Sequence, residues 1–175
     1  MRGLLCALVM MLASPAAALN LNQEFSNIDG GTHRLADWSG QPILVVNTAS
    51  LCGFTPQYTA LQKLHDRFSD RGLVVLAVPS DNFAQELEDN EAVKEFCEVN
   101  YDLTLPMTGI TDVKGPNAHP FYKSLAAQGF EPNWNFNKVL IGPDGELVAT
   151  YRSRVSPTSR QITDEIERLL DAPES

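Results

Sequence analysis

The sequence is short of thiols, imidazoles and positive charge, and each shortage removes a class of chemistry. Its 175 residues include three cysteines and three histidines. His33, His65 and His119 stand far apart, and no Cys-x-x-x-Cys or paired-histidine spacing suits zinc or copper. No metal and no other cofactor is expected. Lysine and arginine number 13 against 22 acidic residues, a net charge of -9. Binding to nucleic acid or to anionic lipid draws on clustered cations, so neither partner is expected. There is no low-complexity tract, no internal repeat and no apolar run long enough to span a bilayer.

What is present begins with a leader. Arg2 precedes an apolar stretch from Leu4 to Leu12, and small residues then end in Ala16-Ala17-Ala18. A basic start, a short apolar stretch and an Ala-x-Ala pattern are the marks of a secretory signal cut after Ala18. The expectation is an exported protein, periplasmic or extracellular, with residues 19–175 forming one domain. Cleavage leaves 12 basic against 22 acidic residues, or -10, and removes Cys6. Cys52 and Cys97 remain. A structural disulfide between them is one reading in an oxidising compartment, although a chain of this length does not need a staple.

Hydrophobic periodicity lays out the rest. Phe25 to Leu35 carries Asp29-Gly30-Gly31, a hairpin turn. Ile43 to Asn47 and Leu73 to Val78 are continuous apolar runs, the pattern of strands covered on both faces. Between them Thr55 can cap a helix with Pro56 at its first position, and Leu61, Leu64 and Phe68 recur at helical spacing. Val93, Phe96 and Cys97 share one face of a second helix, and another runs from about His119 to Gln128. Gly142-Pro143-Asp144-Gly145 joins two strands of a hairpin, and Ser156-Pro157 opens a last helix. Strand, helix, strand, helix, hairpin, helix is the order of an α/β thioredoxin-like fold: a central mixed sheet flanked by helices, here with an N-terminal hairpin.

Cys52 lies where the first buried strand turns into the first long helix. The positive end of a helix favours thiolate, and thiolate is the nucleophile. A dithiol exchange enzyme would place a second cysteine three residues on, whereas Thr55 stands there. A lone thiolate suits attack on a peroxide O–O bond, giving a sulfenic acid that another thiol removes.

At these residues the chain resembles the glutathione peroxidase family. Asn47-Thr48-Ala49-Ser50-Leu51-Cys52-Gly53-Phe54-Thr55 is similar to its active-site run, Gly115-Pro116-Asn117-Ala118-His119-Pro120-Phe121-Tyr122 to a middle segment, and Trp134-Asn135-Phe136-Asn137-Lys138 to its Trp-Asn-Phe-x-Lys block. The resemblance implies a thiol-dependent peroxidase acting on hydrogen peroxide and on organic or lipid hydroperoxides. Cys52 is the implied nucleophile, and Trp134 and Asn135 supply hydrogen-bond donors. The family's remaining site residue is a Gln in a loop that is one residue shorter here. Aligning on Pro79 and Phe83 gives that role to Asn82, with Gln85 as the second candidate. Cys97 is the implied resolving thiol, and core packing is its other reading. The implied reductant is a thioredoxin-like protein or glutathione. The short stretch between Pro120 and Trp134 lacks the loop of tetrameric relatives, which implies a monomer. Two other readings compete: an exported thiol–disulfide exchange protein, and a binding domain stapled by Cys52 and Cys97.

Overall fold

The structure, a computed structural model, describes residues 18–172. The leader expected over residues 1–18 lies, except for its last residue, outside them. Strands β1 (Phe25–Ser26) and β2 (Thr32–His33) form a small antiparallel hairpin. The main sheet contains β3 (Ile43–Thr48), β4 (Val74–Pro79), β5 (Lys138–Ile141) and β6 (Leu147–Tyr151) in the order β4-β3-β5-β6. Helices α1 (Gln57–Phe68), α2 (Asn90–Tyr101), α3 (Pro120–Ala127) and α4 (Arg160–Leu170) complete the chain. The order and the mixed sheet are those expected.

Every residue of β3, β4 and β5 is buried. Alternation along β3 sends Leu44 and Val46 towards Tyr58, Leu61, Leu64 and Phe68 of α1 and Ile162 and Ile166 of α4. Ile43 and Val45 point the other way, towards Phe121 and Leu125 of α3 and towards Phe25 and Leu35. Two apolar layers on one sheet explain why these strands read as unbroken apolar runs.

Two boundaries differ from the sequence reading, each for a local reason. Thr55 does not cap α1; its hydroxyl donates to the Ala49 carbonyl and accepts from the Cys52 N–H, at 2.8 and 3.0 Å. Pro56 is therefore the residue before the helix rather than its first. The last helix begins at Arg160 because Ser156 and Pro157 form a turn first, closed by the Ser159 N–H on the Ser156 carbonyl. His119 starts α3 as expected, its Nδ1 accepting from the Phe121 N–H.

The topology gathers four loops at one edge. β3 and β4 are parallel, so their C-terminal ends lie together. β5 runs antiparallel to β3, so its beginning lies at the same edge, as does the end of β6. Thus residues 47–55, 80–89, 134–137 and 152–155 converge beyond the C-terminal ends of the parallel pair, where open α/β sheets place their sites.

Candidate active site

Cys52 is 8 % exposed and Cys97 1 %, and both are free thiols. The Cys52 Sγ accepts a hydrogen bond from the Phe54 N–H at 3.4 Å. Neighbouring backbone holds the loop from both sides. The Leu51 N–H donates to the Gln85 carbonyl and the Ser50 N–H to Glu86 Oε1, both at 2.9 Å. Glu86 Oε1 also accepts from the Leu87 N–H. Burial pushes the Glu86 carboxyl up, and these N–H donors pull it back. The segment after β4 is thereby tied to the cysteine loop along its backbone.

The block before β5 is fixed by Asn47, at the end of β3. Its Nδ2 donates to the Trp134 carbonyl at 3.0 Å, and its Oδ1 accepts from the Asn137 N–H at 3.1 Å. Between them Phe136 adopts a left-handed φ of 58°, a conformation that costs a non-glycine residue about 1 kcal/mol or more. Its fully buried ring, edge-on to Tyr58, offsets that cost. The turn sets Asn135 inward, 0 % exposed, while Trp134 stays 39 % exposed with its ring against Phe83. Among the described residues the indole N–H has no hydrogen-bond partner, so it is available to an incoming oxygen.

The two candidates for the family's Gln position part company here. The Asn82 Oδ1 accepts from the N–H groups of Val113 and Lys114, and its Nδ2 donates to Asp112 at 2.7 Å. That carboxamide braces the 112–114 loop. Gln85 Oε1 accepts from Asn135 Nδ2 at 3.0 Å, linking it to the site block. Asn135 Oδ1 is buried and has no hydrogen-bond partner among the described residues. An unfilled buried acceptor is costly unless something else serves it.

A third layer lies behind these residues. Ser153 Oγ donates to the Asn135 carbonyl at 2.6 Å and accepts from Asn137 Nδ2 at 2.9 Å. Lys138, 0 % exposed at the head of β5, points its Nζ at Gln57 Oε1, the Ser153 carbonyl and the Val155 carbonyl, at 2.6, 3.2 and 2.6 Å. Burial pushes its amine down to about 7. Three acceptors match the three N–H groups of the ammonium form and oppose that push. Sequence reading passed over Ser153 and Gln57 and quoted Lys138 only as part of a motif. A lysine opening an otherwise apolar strand was the available signal; Ser153 gave none.

A surface hollow of about 400 Å³ lies at the opposite end of the strands beside Gly40, Gly72 and Pro143, and no cysteine lines it. A shallower one of about 240 Å³ adjoins the site and is lined by Phe54, Trp134, Ser153, Arg152 and Arg154. Cys97 is buried in the core layer, where burial pushes its thiol up to about 12.

A thioredoxin-like scaffold carrying one cysteine at the strand-to-helix turn, with carboxamides and an indole on the loops tied to that turn, is the class defined so far. Comparison with known proteins narrows it. The sequence profile of the glutathione peroxidase family matches residues 21–126. The chain is 42 % identical over 155 residues to the hydroperoxy fatty acid reductase of Synechocystis sp., covering 82 % of this chain and 90 % of that protein. It is 38 % identical to the glutathione peroxidase of Lactococcus lactis, with 82 % and 94 % covered. The apo crystal structure of Trgpx superposes with a TM-score of 0.71 at 29 % identity, over 91 % of this chain and all of that one. The chain belongs to the glutathione peroxidase family, and its activity is thiol-dependent reduction of hydroperoxides. A putative protein disulfide isomerase from Bacteroides thetaiotaomicron, at 18 % identity and a TM-score of 0.66, shares the fold alone.

Proposed function

We propose that Cys52 is the peroxidatic nucleophile, acting on hydrogen peroxide and on organic or lipid hydroperoxides. The observation that carries this is the thiol on a loop pinned at Ser50, Leu51 and Thr55, beside the Trp134-Asn135-Gln85 group. The thiolate attacks the terminal peroxide oxygen and the O–O bond breaks. Cys52 becomes a sulfenic acid, and the departing oxygen takes a proton to leave as water or alcohol. The indole N–H of Trp134 and the carboxamide N–H groups of Gln85 and Asn135 receive the negative charge that develops on the oxygens without adding one of their own. We assign the Gln role to Gln85, because Asn82 spends its carboxamide on Asp112 and Val113. The Synechocystis relative, named for hydroperoxy fatty acids, supports an organic substrate.

Cys97 then condenses with the sulfenic acid, releasing water and forming a disulfide that a thioredoxin-type dithiol protein reduces. A disulfide needs Cα atoms within about 7 Å, so α2 unwinds for this step. Val93 and Cys97 are the fully buried side chains of α2, which makes its opening inexpensive compared with α1. The protein acts after export and removal of its leader, as a monomer. No described helix is long and apolar enough to cross a membrane.

Two substitutions test the assignments. Gln85→Ala lowers the rate of Cys52 oxidation by peroxide about 100-fold, the size expected for losing one preorganised donor. Asn82→Ala lowers thermal stability by about 1–2 kcal/mol through its lost loop bonds and changes that rate much less. The reverse order of effects on the rate would return the role to Asn82. Cys97→Ser leaves Cys52 oxidisable but blocks the intramolecular disulfide, and turnover with thioredoxin falls at least about tenfold. Undiminished turnover with thioredoxin would remove Cys97 from the cycle, and faster turnover with glutathione would identify that thiol as the donor.

A further inference from the structure

The site has two halves that arrive on different elements. The thiol sits on the turn that runs from Cys52 into α1. That turn is closed on itself by the Thr55 N–H on the Cys52 carbonyl and the Gln57 N–H on the Phe54 carbonyl, at 3.0 and 2.9 Å. The donors Trp134 and Asn135 sit on the block that runs into β5. Gln57 opens α1 and Lys138 opens β5, and the two meet: Lys138 Nζ donates to Gln57 Oε1 at 2.6 Å. Both then reach the same third residue. Lys138 Nζ and Gln57 Nε2 donate to the Ser153 carbonyl, at 3.2 and 2.7 Å. On its other side Ser153 Oγ donates to the Asn135 carbonyl at 2.6 Å and accepts from Asn137 Nδ2 at 2.9 Å. Ser153 is buried, on a turn closed by the Val155 N–H on the Arg152 carbonyl. Lys138 Nζ also donates to the Val155 carbonyl of that turn, at 2.6 Å.

We infer that Ser153 and Lys138 are positioning residues for the peroxide step, acting as one brace through Asn135. This rests on the peroxidase reading of Cys52 and adds to it what sets the spacing between the thiol and its donors. Asn135 precedes the left-handed Phe136, and a strained turn keeps its shape only where its surroundings hold it. The Phe136 ring anchors one end of that turn against Tyr58, and the Ser153 hydroxyl holds the Asn135 peptide from behind. Lys138 fixes Ser153 in turn and shares Gln57 with the helix that follows the thiol. Preorganised donors serve the reaction only if they already stand where charge develops, and a misplacement of about 1 Å costs about 100-fold in rate. The Asn47 bonds to the Trp134 carbonyl and the Asn137 N–H stay in place without the brace, so its loss shifts Asn135 by less than that.

The test is single-turnover oxidation of the reduced full-length protein by hydrogen peroxide, run beside alkylation by iodoacetamide, with both followed at Cys52 by mass spectrometry. Alkylation depends on thiolate and access, and makes no use of donors aimed at peroxide oxygens. Ser153→Ala and Lys138→Met each slow oxidation about tenfold, while alkylation stays within about twofold of wild type. The double variant is also slower by only about tenfold, because both residues act through one carbonyl. Oxidation of Ser153→Ala at the wild-type rate overturns the inference. So does a change in alkylation that matches the change in oxidation, since a loosened fold would move both. A double variant slower by about 100-fold overturns it as well, since the two residues would then act apart. If Lys138→Met is unfolded at the assay temperature, Gln57→Met takes its place and breaks the same link from the side of α1. If hydrogen peroxide oxidises wild-type Cys52 no faster than a free thiol, the peroxidase reading fails first, and that result is distinct from variants that match a fast wild type.

Discussion

Cys52→Ser abolishes hydroperoxide turnover, lowering kcat/KM on the order of 10⁴-fold or more. A serine hydroxyl stays protonated at neutral pH, and its oxygen attacking a peroxide would only exchange one O–O bond for another, so the surrounding donors have nothing to activate. The fold is unaffected. Ser differs from Cys by one atom, and the loop is held by the Thr55 hydroxyl, the Gln85 carbonyl and the Glu86 carboxylate rather than by the thiol. Unfolding curves of the two proteins therefore coincide while their peroxide consumption does not. A serine variant that kept a tenth of the activity would move the chemistry to another group.

Lys138→Met is the substitution with the largest expected cost in stability, about 3 kcal/mol. Methionine fills the space but leaves Gln57 Oε1 and the Val155 carbonyl without a buried donor, at about 1.5 kcal/mol each, while the Ser153 carbonyl keeps its bond from Gln57 Nε2. For a domain this size that lowers Tm by about 6–12 °C. The wild type also carries a pH signature. The folded amine titrates near 7 and the unfolded one near 10.5, so the unfolded chain holds more protons between those values. Stability that depends on Lys138 therefore rises with pH through that window and is flat below it. The thiol of Cys97 has the opposite sign, because its raised value makes the folded state hold the proton longer above about 9. The comparison belongs between about pH 6 and about pH 8.5, where wild type minus Lys138→Met isolates the lysine. Equal slopes for the two proteins over that range would show that Lys138 stays fully charged.

Much of the fold was legible because its signals are local. Ile43 to Asn47 and Leu73 to Val78 read as buried strands from their apolar runs, within one residue of the observed β3 and β4, and Leu61, Leu64 and Phe68 gave α1 its face. Cys52, Trp134 and Asn135 were legible as short motifs on strand-flanking turns. What failed to show was long-range. Asn82 and Gln85 are both carboxamides on the same loop, and the bonds that separate them reach 30 residues to Asp112 and 50 to Asn135. Thr55 has the chemistry of a helix cap, and only the folded loop brings the Ala49 carbonyl to its hydroxyl. Arg152 and Arg154 look like solvated surface charge until the hollow places them beside Phe54 and Trp134.

The central claim is that Cys52 reacts with peroxide as a nucleophile set in a site, not as an ordinary thiol. The direct measurement is to reduce the protein, add one equivalent of hydrogen peroxide, trap thiols at short times and locate the oxidation by mass spectrometry. The account predicts sulfenic acid at Cys52 or a Cys52–Cys97 bond within seconds, and neither in Cys52→Ser. Oxidation no faster than that of a free thiol, at a rate that Cys52→Ser leaves unchanged, would contradict it.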